Sequence, residues 1–394
     1  MKITDVKVIL LTAPWSGDPY FAPNFVRSTA LIQIETDEGV TGLGETIAGY
    51  FCPEVVPPLV DYYRPCLLGQ DPLQEDRVWR EAYHNSLWWG RVGLAVNVLS
   101  GIEMTLWNIK GKTAGKPVYE LLGGKAHDRL KLYASGGPAL WPHERTVEKA
   151  HFYLSLGYQA LKVSTGVMGH PREAWHAGTL DQVVKEERAK FEALRRAVGD
   201  TIDLAIDGHE GPSRTPWIAK WAVAVAQAIE DLNIRFYEEP LRYSDRAGYA
   251  LLRKLTRIPV AGGESLTMVE EFQNFMDAEA LDIVQPDLTV VGGIAVGRQV
   301  AQMASSRHLD MILHTGGATG PGLMANYHLA FASPNCQMIE HVIAASDLQR
   351  ELLVEPLTLK DGYLHAPTAP GLGVELRPET VKRFPFQPGN EERT

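Results

Sequence analysis

Between residues 128 and 345 one pattern repeats and constrains the fold more than any other feature. Short apolar stretches, all but the first closing on a polar or ionisable residue, alternate with longer stretches of helical periodicity. This is the pattern of parallel strands joined by crossover helices. The expected strands are Lys131 to Ala134, Ala160 to Ser164, Asp203 to Asp207, Arg235 to Glu238, Val260 to Glu264, Ile283 to Asp287, Met311 to His314 and Gln337 to Glu340. Helical stretches such as Lys185 to Ala197 and Trp217 to Asp231 fall between them. Eight strands, each but the last followed by a helix, predict an α/β fold. It is a TIM-like (β/α)8-type barrel whose last helix is irregular or replaced.

The flanks differ from the barrel. Residues 1–126 read as an α+β unit. Val6 to Thr12 and Thr29 to Thr36 are strand-like, Asp37-Glu38-Gly39 turns into Val40 to Glu45, and helical pattern runs from Glu54 to Leu94–Lys112. The barrel is assigned 127–345. The segment 346–394 is expected to pack back on the first unit.

With 38 Lys and Arg against 48 Asp and Glu, the formal charge is −10, which argues against a nucleic-acid or anionic-membrane surface. No stretch nears the roughly 20 apolar residues of a spanning helix, and the first residues lack the pattern of a signal peptide. Three cysteines (Cys52, Cys66 and Cys336) form no metal or redox spacing and suit a reducing compartment. Cytoplasmic residence is the expectation.

The strand ends carry the chemistry. From Asp207 through Glu238, Glu264, Asp287 and His314 to Glu340 the gaps are 31, 26, 23, 27 and 26 residues, one βα unit each. In a barrel such ends converge on one face, where active sites sit. A single Asp at a strand end is more often a turn or cap residue, but six in succession are not. Three carboxylates aimed at one point repel, and a cation resolves the conflict. Oxygen ligands without Cys or His suit Mg²⁺ at Asp207, Glu238 and Glu264. Glu239 is expected to face away and pair with a cation at the rim. Asp287 next to His314 suggests a carboxylate orienting a general base. His209, two residues past Asp207, can enter the same mouth from the other side and donate to a departing hydroxyl. The other reading of His209 is a loop histidine in solvent. Satisfied structural roles are expected for His84, His127, His143, His151 and His308.

At these residues the chain resembles the enolase superfamily, mandelate racemase subgroup, over essentially its whole length. The matching stretches are Asp207-Gly208-His209, Tyr237-Glu238-Glu239-Pro240, Gly263-Glu264-Ser265, Gln285-Pro286-Asp287, Gly292-Gly293, His314 and Glu340, with Thr41-Gly42-Leu43-Gly44-Glu45 and Leu121-Leu122-Gly123-Gly124 before the barrel. The resemblance implies a modified (β/α)7β barrel with an α+β capping domain. It also implies Mg²⁺-assisted removal of a proton α to a carboxylate, with Glu340, if protonated, donating to that carboxylate. Members of the family are commonly homo-oligomers. Many carry Lys-x-Lys on the second strand, the last lysine serving as base; here the stretch is Lys162-Val163-Ser164. Ser164 cannot be that base, and Asp207/His209 resembles the motif of galactonate- and gluconate-type dehydratases. The resemblance thus implies loss of the 3-hydroxyl of a sugar acid to give a 2-keto-3-deoxy acid, with His314 as base and His209 as acid. Lys162, Ser164, Tyr20 and Tyr50 are the candidate substrate contacts, although the two tyrosines, like Phe51 and Trp88, either line the pocket or pack the cap. An epimerase or racemase on the same metal site, and a catalytically silent binding or regulatory member, are the competing readings.

Overall fold

The computed structural model describes residues 1–14, 26–135, 142–165, 178–211, 216–343 and 346–389. The N-terminal sheet consists of β1 (Ile3–Pro14), β2 (Val26–Thr36) and β3 (Thr41–Thr46), antiparallel in that order. Gly39 turns β2 into β3 with φ +77°, a conformation that costs glycine nothing. Both faces of this sheet are buried. Ala30, Ile32 and Ile34 face Val60, Tyr63, Val98 and Ile102 of the cap helices, and Leu31 joins the barrel core. The helix Leu94–Ala114 lies against the sheet and also touches the barrel, so apolar residues surround it on all sides and nearly all are buried.

Eight parallel strands form the barrel: β4 (Arg129–Ser135), β5 (Ala160–Ser164), β6 (Asp203–Asp207), β7 (Ile234–Glu238), β8 (Val260–Gly262), β9 (Ile283–Val284), β10 (Asp310–Met311) and β11 (Met338–Val342). Their order is β10-β9-β8-β7-β6-β5-β4-β11. Among the described residues no ladder joins β10 to β11. The Met311 N–H to Asn335 O bond (2.9 Å) and the Thr315 N–H to Glu340 Oε2 bond (2.8 Å) bridge that seam. Among the described residues the only helices after β11 are two of six residues, Asp347–Leu352 and Pro378–Arg383, whereas helices follow β4 to β10 in turn. One of them, Leu180–Val198, opens on a Thr179/Gln182 capping box, which satisfies two end N–H groups and contributes about 1 kcal/mol.

Strand alternation builds the barrel interior in layers. Tyr133, Ala160, Ala205, Phe236, Ala261, Ile283 and Met338, one from each of seven strands, and Ile312 just past β10 form an apolar layer. Two residues further along, the inward positions are Lys162, Asp207, Glu238, Gln285, His314 and Glu340. A dry floor thus lies under a polar mouth.

The expected strand ends need one correction. Asp207 and Glu238 do close β6 and β7, but Glu264, Asp287 and His314 lie two or three residues beyond the last residues of β8, β9 and β10, and Glu340 lies two residues before the end of β11. Gly263 has φ +119°, and Pro286 has no N–H to offer a ladder. Pairing continues loosely through Gln285 N–H to Gly262 O and His314 N–H to Pro286 O, so the side chains still reach the mouth.

After the barrel, β12 (Leu359–Lys360) and β13 (Tyr363–His365) form a hairpin, and β13 pairs antiparallel with β4. Further on, Pro385 bridges Leu11 and the Gln387 N–H bonds Thr12 Oγ1, so these residues touch the N-terminal sheet. No described helix is long and apolar enough to cross a membrane.

Candidate active site

Parallel register sets Ser164, Asp207 and Glu238 side by side across β5, β6 and β7. Asp207 and Glu238 are fully buried and Glu340 is 1% exposed. Lys162, one inward step below Ser164, extends its ammonium into this group. It pairs with Asp207 Oδ2 (2.8 Å), Glu340 Oε1 (3.0 Å) and Glu238. Glu238 also accepts from Gln285 Nε2 (2.6 Å). Glu264 stands at the more open edge, 3.3 Å from His314 Nε2. Among the described residues no group of three or more His, Cys, Asp or Glu side chains is arranged as a formed metal site. Asp207 and Glu238 are instead closed on Lys162.

The base candidate is tightly held. His314 Nδ1 lies 3.0 Å from Asp287 Oδ2. Asp287 Oδ1 accepts from the Thr289 N–H (2.8 Å), the Thr289 hydroxyl (2.7 Å) and Asn326 Nδ2 (3.3 Å). This leaves Nε2 toward the mouth. Gly316 keeps it clear, since a Cβ there would sit 2.6 Å from Nε2. On the other flank, His209 Nε2 lies 3.3 Å from Asp207 Oδ2. Its backbone adopts φ +48° and its N–H bonds Asp207 Oδ1, which turns the ring back over the end of β6. The two imidazoles therefore touch different carboxylates of the cluster.

The charges act on one another. Burial alone would lower Lys162, but Asp207, Glu238 and Glu340 hold it well above its ordinary value, as an ammonium. Burial raises Glu238 well above the usual carboxylate range, and Asp207, Glu340 and Glu264 add to that against the pull of Lys162. Burial would likewise raise Glu340, yet Lys162, His314 and the Thr315 N–H outweigh it and keep it ionised. Its Oε2 accepts from the Thr315 N–H (2.8 Å). Burial would lower His314, but Glu264, Glu340 and Asp287 push it well above the usual imidazole range.

Other expected residues fall as follows. Tyr20 lies outside the described residues. Tyr50, from the capping domain, packs its ring against Gly317 just past His314, with the Arg27 guanidinium 3.4 Å above the ring centroid. The backbone carbonyl of Ser164 accepts from Lys190 Nζ (3.0 Å). Trp88 is 99% exposed. Glu239 is corrected: it faces away from the mouth as expected, but its partners are the Tyr249 hydroxyl (3.1 Å) and the Gly263 N–H (2.9 Å), not a cation at the rim. The helix Arg246–Leu255 covers it there, and burial followed by the Glu264 charge pushes its carboxyl up to about 8. His127, His143 and His151 bond Ser333 O, Glu186 and Ala197 O. Sequence reasoning had not weighed Gln285 or Asn326. The inward parity that Gln285 shares with Asp287 was a usable signal; Asn326, on a helix, carried none.

Comparison with known proteins agrees with this architecture. Residues 145–380 match the enolase C-terminal domain-like family, and residues 23–123 match the mandelate racemase/muconate lactonizing enzyme N-terminal domain. The chain is 30% identical to an arabinonate dehydratase of Saccharolobus solfataricus, over 89% of each chain. It is also 30% identical to a D-galactonate dehydratase family member of Pantoea ananatis, covering 98% of this chain and 95% of that one. A solved 3,6-anhydro-D-galactonate cycloisomerase from Zobellia galactanivorans superposes with TM-score 0.84 at 28% identity, covering 98% of this chain and 99% of that one. The chain therefore belongs to the mandelate racemase/muconate lactonizing enzyme family of the enolase superfamily.

Proposed function

We propose that this protein is a Mg²⁺-dependent sugar-acid dehydratase that converts an aldonate into a 2-keto-3-deoxy acid. The observation that carries the reading is a pair of imidazoles, His314 and His209, on two flanks of one carboxylate cluster. The dehydratase names of the relatives at 30% identity support the same class.

The donor set fits a hard divalent ion. Asp207, Glu238 and Glu264 offer only oxygen, and the single ammonium of Lys162 faces three buried carboxylates, Asp207, Glu238 and Glu340. A Mg²⁺ held by these three would supply positive charge for the substrate carboxylate and, by neutralising Glu264, let His314 fall toward the range in which it accepts a proton.

The protein's own groups do the rest. His314 Nε2 takes the proton from C2, and Asp287 at Nδ1 stabilises the imidazolium that forms. Lys162 offers fixed positive charge where the enediolate gathers electrons. As the C2–C3 double bond forms, the C3–O bond breaks, and a protonated His209 gives its proton to the leaving oxygen, releasing water. The enol left behind tautomerises to the 2-keto acid.

A second reading uses the same pair: an epimerase in which His209 returns a proton to the opposite face of C2. The likeness to a named cycloisomerase keeps it in view. Screening mono- and diacid sugars, arabinonate and galactonate included, with Mg²⁺ and semicarbazide detection of 2-keto acids tests the proposal. Product is expected from at least one aldonate. The His209→Asn variant should stop elimination yet still exchange the α-proton in D₂O. A flat screen, unaltered by His314→Asn, would favour a non-catalytic role, and exchange by the unmodified enzyme without keto acid would favour the epimerase.

A further inference from the structure

We propose that Glu45, a buried carboxylate of the capping sheet, is a positioning residue for the His314–Asp287 pair; this rests on the reading of His314 as the base. Glu45 lies on β3, 1% exposed, at the seam between capping domain and barrel. Within its own domain it accepts from the Thr29 hydroxyl (2.8 Å). Its other donors belong to the barrel: the Thr319 hydroxyl (2.6 Å), the Thr319 N–H (2.8 and 3.0 Å to the two oxygens) and the Gly322 N–H (2.9 Å).

Those donors sit at the start of the helix Gly320–Ala332. Thr319 precedes that helix but makes no side-chain cap of its own, its hydroxyl being turned onto Glu45. A carboxylate from another domain thus satisfies the N–H groups left open at the helix end and meets the positive end of its dipole.

Two paths run from this contact to the base. The first is the turn from His314 to Thr319, which contains Gly316 and Gly317 and has little stiffness of its own. Thr315 is fixed to Glu340 at one end, and Glu45 fixes Thr319 at the other. The second is the helix itself. Asn326 donates to Asp287 Oδ1 and accepts from the Leu288 N–H (3.1 Å), so the helix position sets where Asp287 is held. Gly322 also abuts Thr289, whose hydroxyl bonds that same oxygen; a Cβ on Gly322 would lie 2.5 Å from Thr289 Cγ2 and 2.9 Å from Glu45 Oε2. Both members of the pair therefore depend on one carboxylate of the capping domain.

The test compares Glu45→Gln with Asn108→Ala. Glutamine preserves size but turns an NH₂ toward donors. Asn108 is buried in the capping helix Leu94–Ala114 and bonds Leu43 O and the Leu372 N–H, touching neither turn, so its loss measures destabilisation alone. The substrate is whichever aldonate turns over, in its ordinary and 2-deuterated forms. At temperatures where both variants are folded, Glu45→Gln is expected to lose kcat at least tenfold with KM within about twofold, because small displacements of a reacting group carry large rate costs. Its deuterium isotope effect on kcat should rise, since proton abstraction becomes the slower step. Asn108→Ala should melt lower with unchanged kcat and isotope effect. A crystal structure of Glu45→Gln, which needs no substrate, should show the 3.0 Å His314–Asp287 contact opened beyond hydrogen-bonding distance. If Glu45→Gln does not fold, Thr319→Val removes one donor and should shift kcat and isotope effect in the same direction by less. Wild-type kcat and isotope effect in Glu45→Gln, or an unmoved pair in its structure, would overturn the proposal. If His314→Asn remains active, the base assignment fails first; if it is inactive while Glu45→Gln behaves as wild type, only the positioning role fails.

Discussion

Replacing Gly316 with alanine adds one methyl group against the ring of His314. Gly316 does not have positive φ, so the backbone itself accepts a side chain. The new Cβ would stand 2.6 Å from Nε2 and 2.9 Å from Cε1. An ordinary contact is about 3.5 Å, so the ring must withdraw by about 1 Å. Asp287 cannot follow readily, because Thr289 and Asn326 hold its other oxygen. A 1 Å misplacement of a reacting group costs about 100-fold in rate, or about 2.7 kcal/mol of transition-state stabilisation. The overlap itself costs about 1–3 kcal/mol of stability if the site cannot relax. Steady-state kinetics on a productive aldonate, with melting curves in parallel, read both quantities. The expected result is a kcat/KM about 100-fold lower in a protein that still folds. A folded variant within about threefold of wild-type kcat would mean that Nε2 of His314 does not take the proton.

Two further predictions concern buried charge. Lys162→Met leaves Asp207, Glu238 and Glu340 without their ammonium, and breaking such a buried network should cost about 3–5 kcal/mol in chelator-containing buffer. Chemical denaturation with EDTA and with excess Mg²⁺ checks this: the deficit should shrink with Mg²⁺, and an equal deficit in both buffers would argue against shared ion and ammonium sites. His328 is fully buried, and burial depresses its imidazole to about 3. The unfolded chain takes up a proton near 6.5 that the folded one refuses, so this residue's contribution is complete above that value. It is lost as pH falls from about 6.5 toward 3, by up to about 5 kcal/mol over the whole window. His328→Gln, which can still accept from the Tyr119 N–H, should flatten the acid side of a melting-temperature profile. Parallel profiles for the two proteins would contradict it.

The barrel was legible because its signal is local. Period-two alternation puts Ala205 and Asp207, Phe236 and Glu238, or Ile312 and His314 on one face whatever the rest of the chain does. Strand ends were less so: Gly263 and Pro286 end the ladders early, yet the chain continues in a nearly extended path that keeps Glu264 and Asp287 at the mouth. What an ammonium or carboxylate pairs with was not legible. Lys162 read as a substrate contact, yet the structure sets it among three carboxylates whose positions depend on barrel closure. The outward direction of Glu239 followed from alternation, but its partners Tyr249 and Gly263 come from elements packed over it. Glu45 read only as the end of a cap strand. Its barrel partners are more than 270 residues away in sequence, and only tertiary packing brings them together.

Following one reaction by proton NMR in D₂O tests the central claim most directly. The unmodified enzyme is incubated with Mg²⁺ and a productive aldonate, and the signals at C2 and C3 are watched together. The account predicts loss of the C2 proton together with growth of a C3 methylene carrying solvent deuterium, the mark of water lost across C2–C3. Exchange at C2 with C3 and its hydroxyl intact would contradict dehydration and leave the two imidazoles as partners in epimerisation.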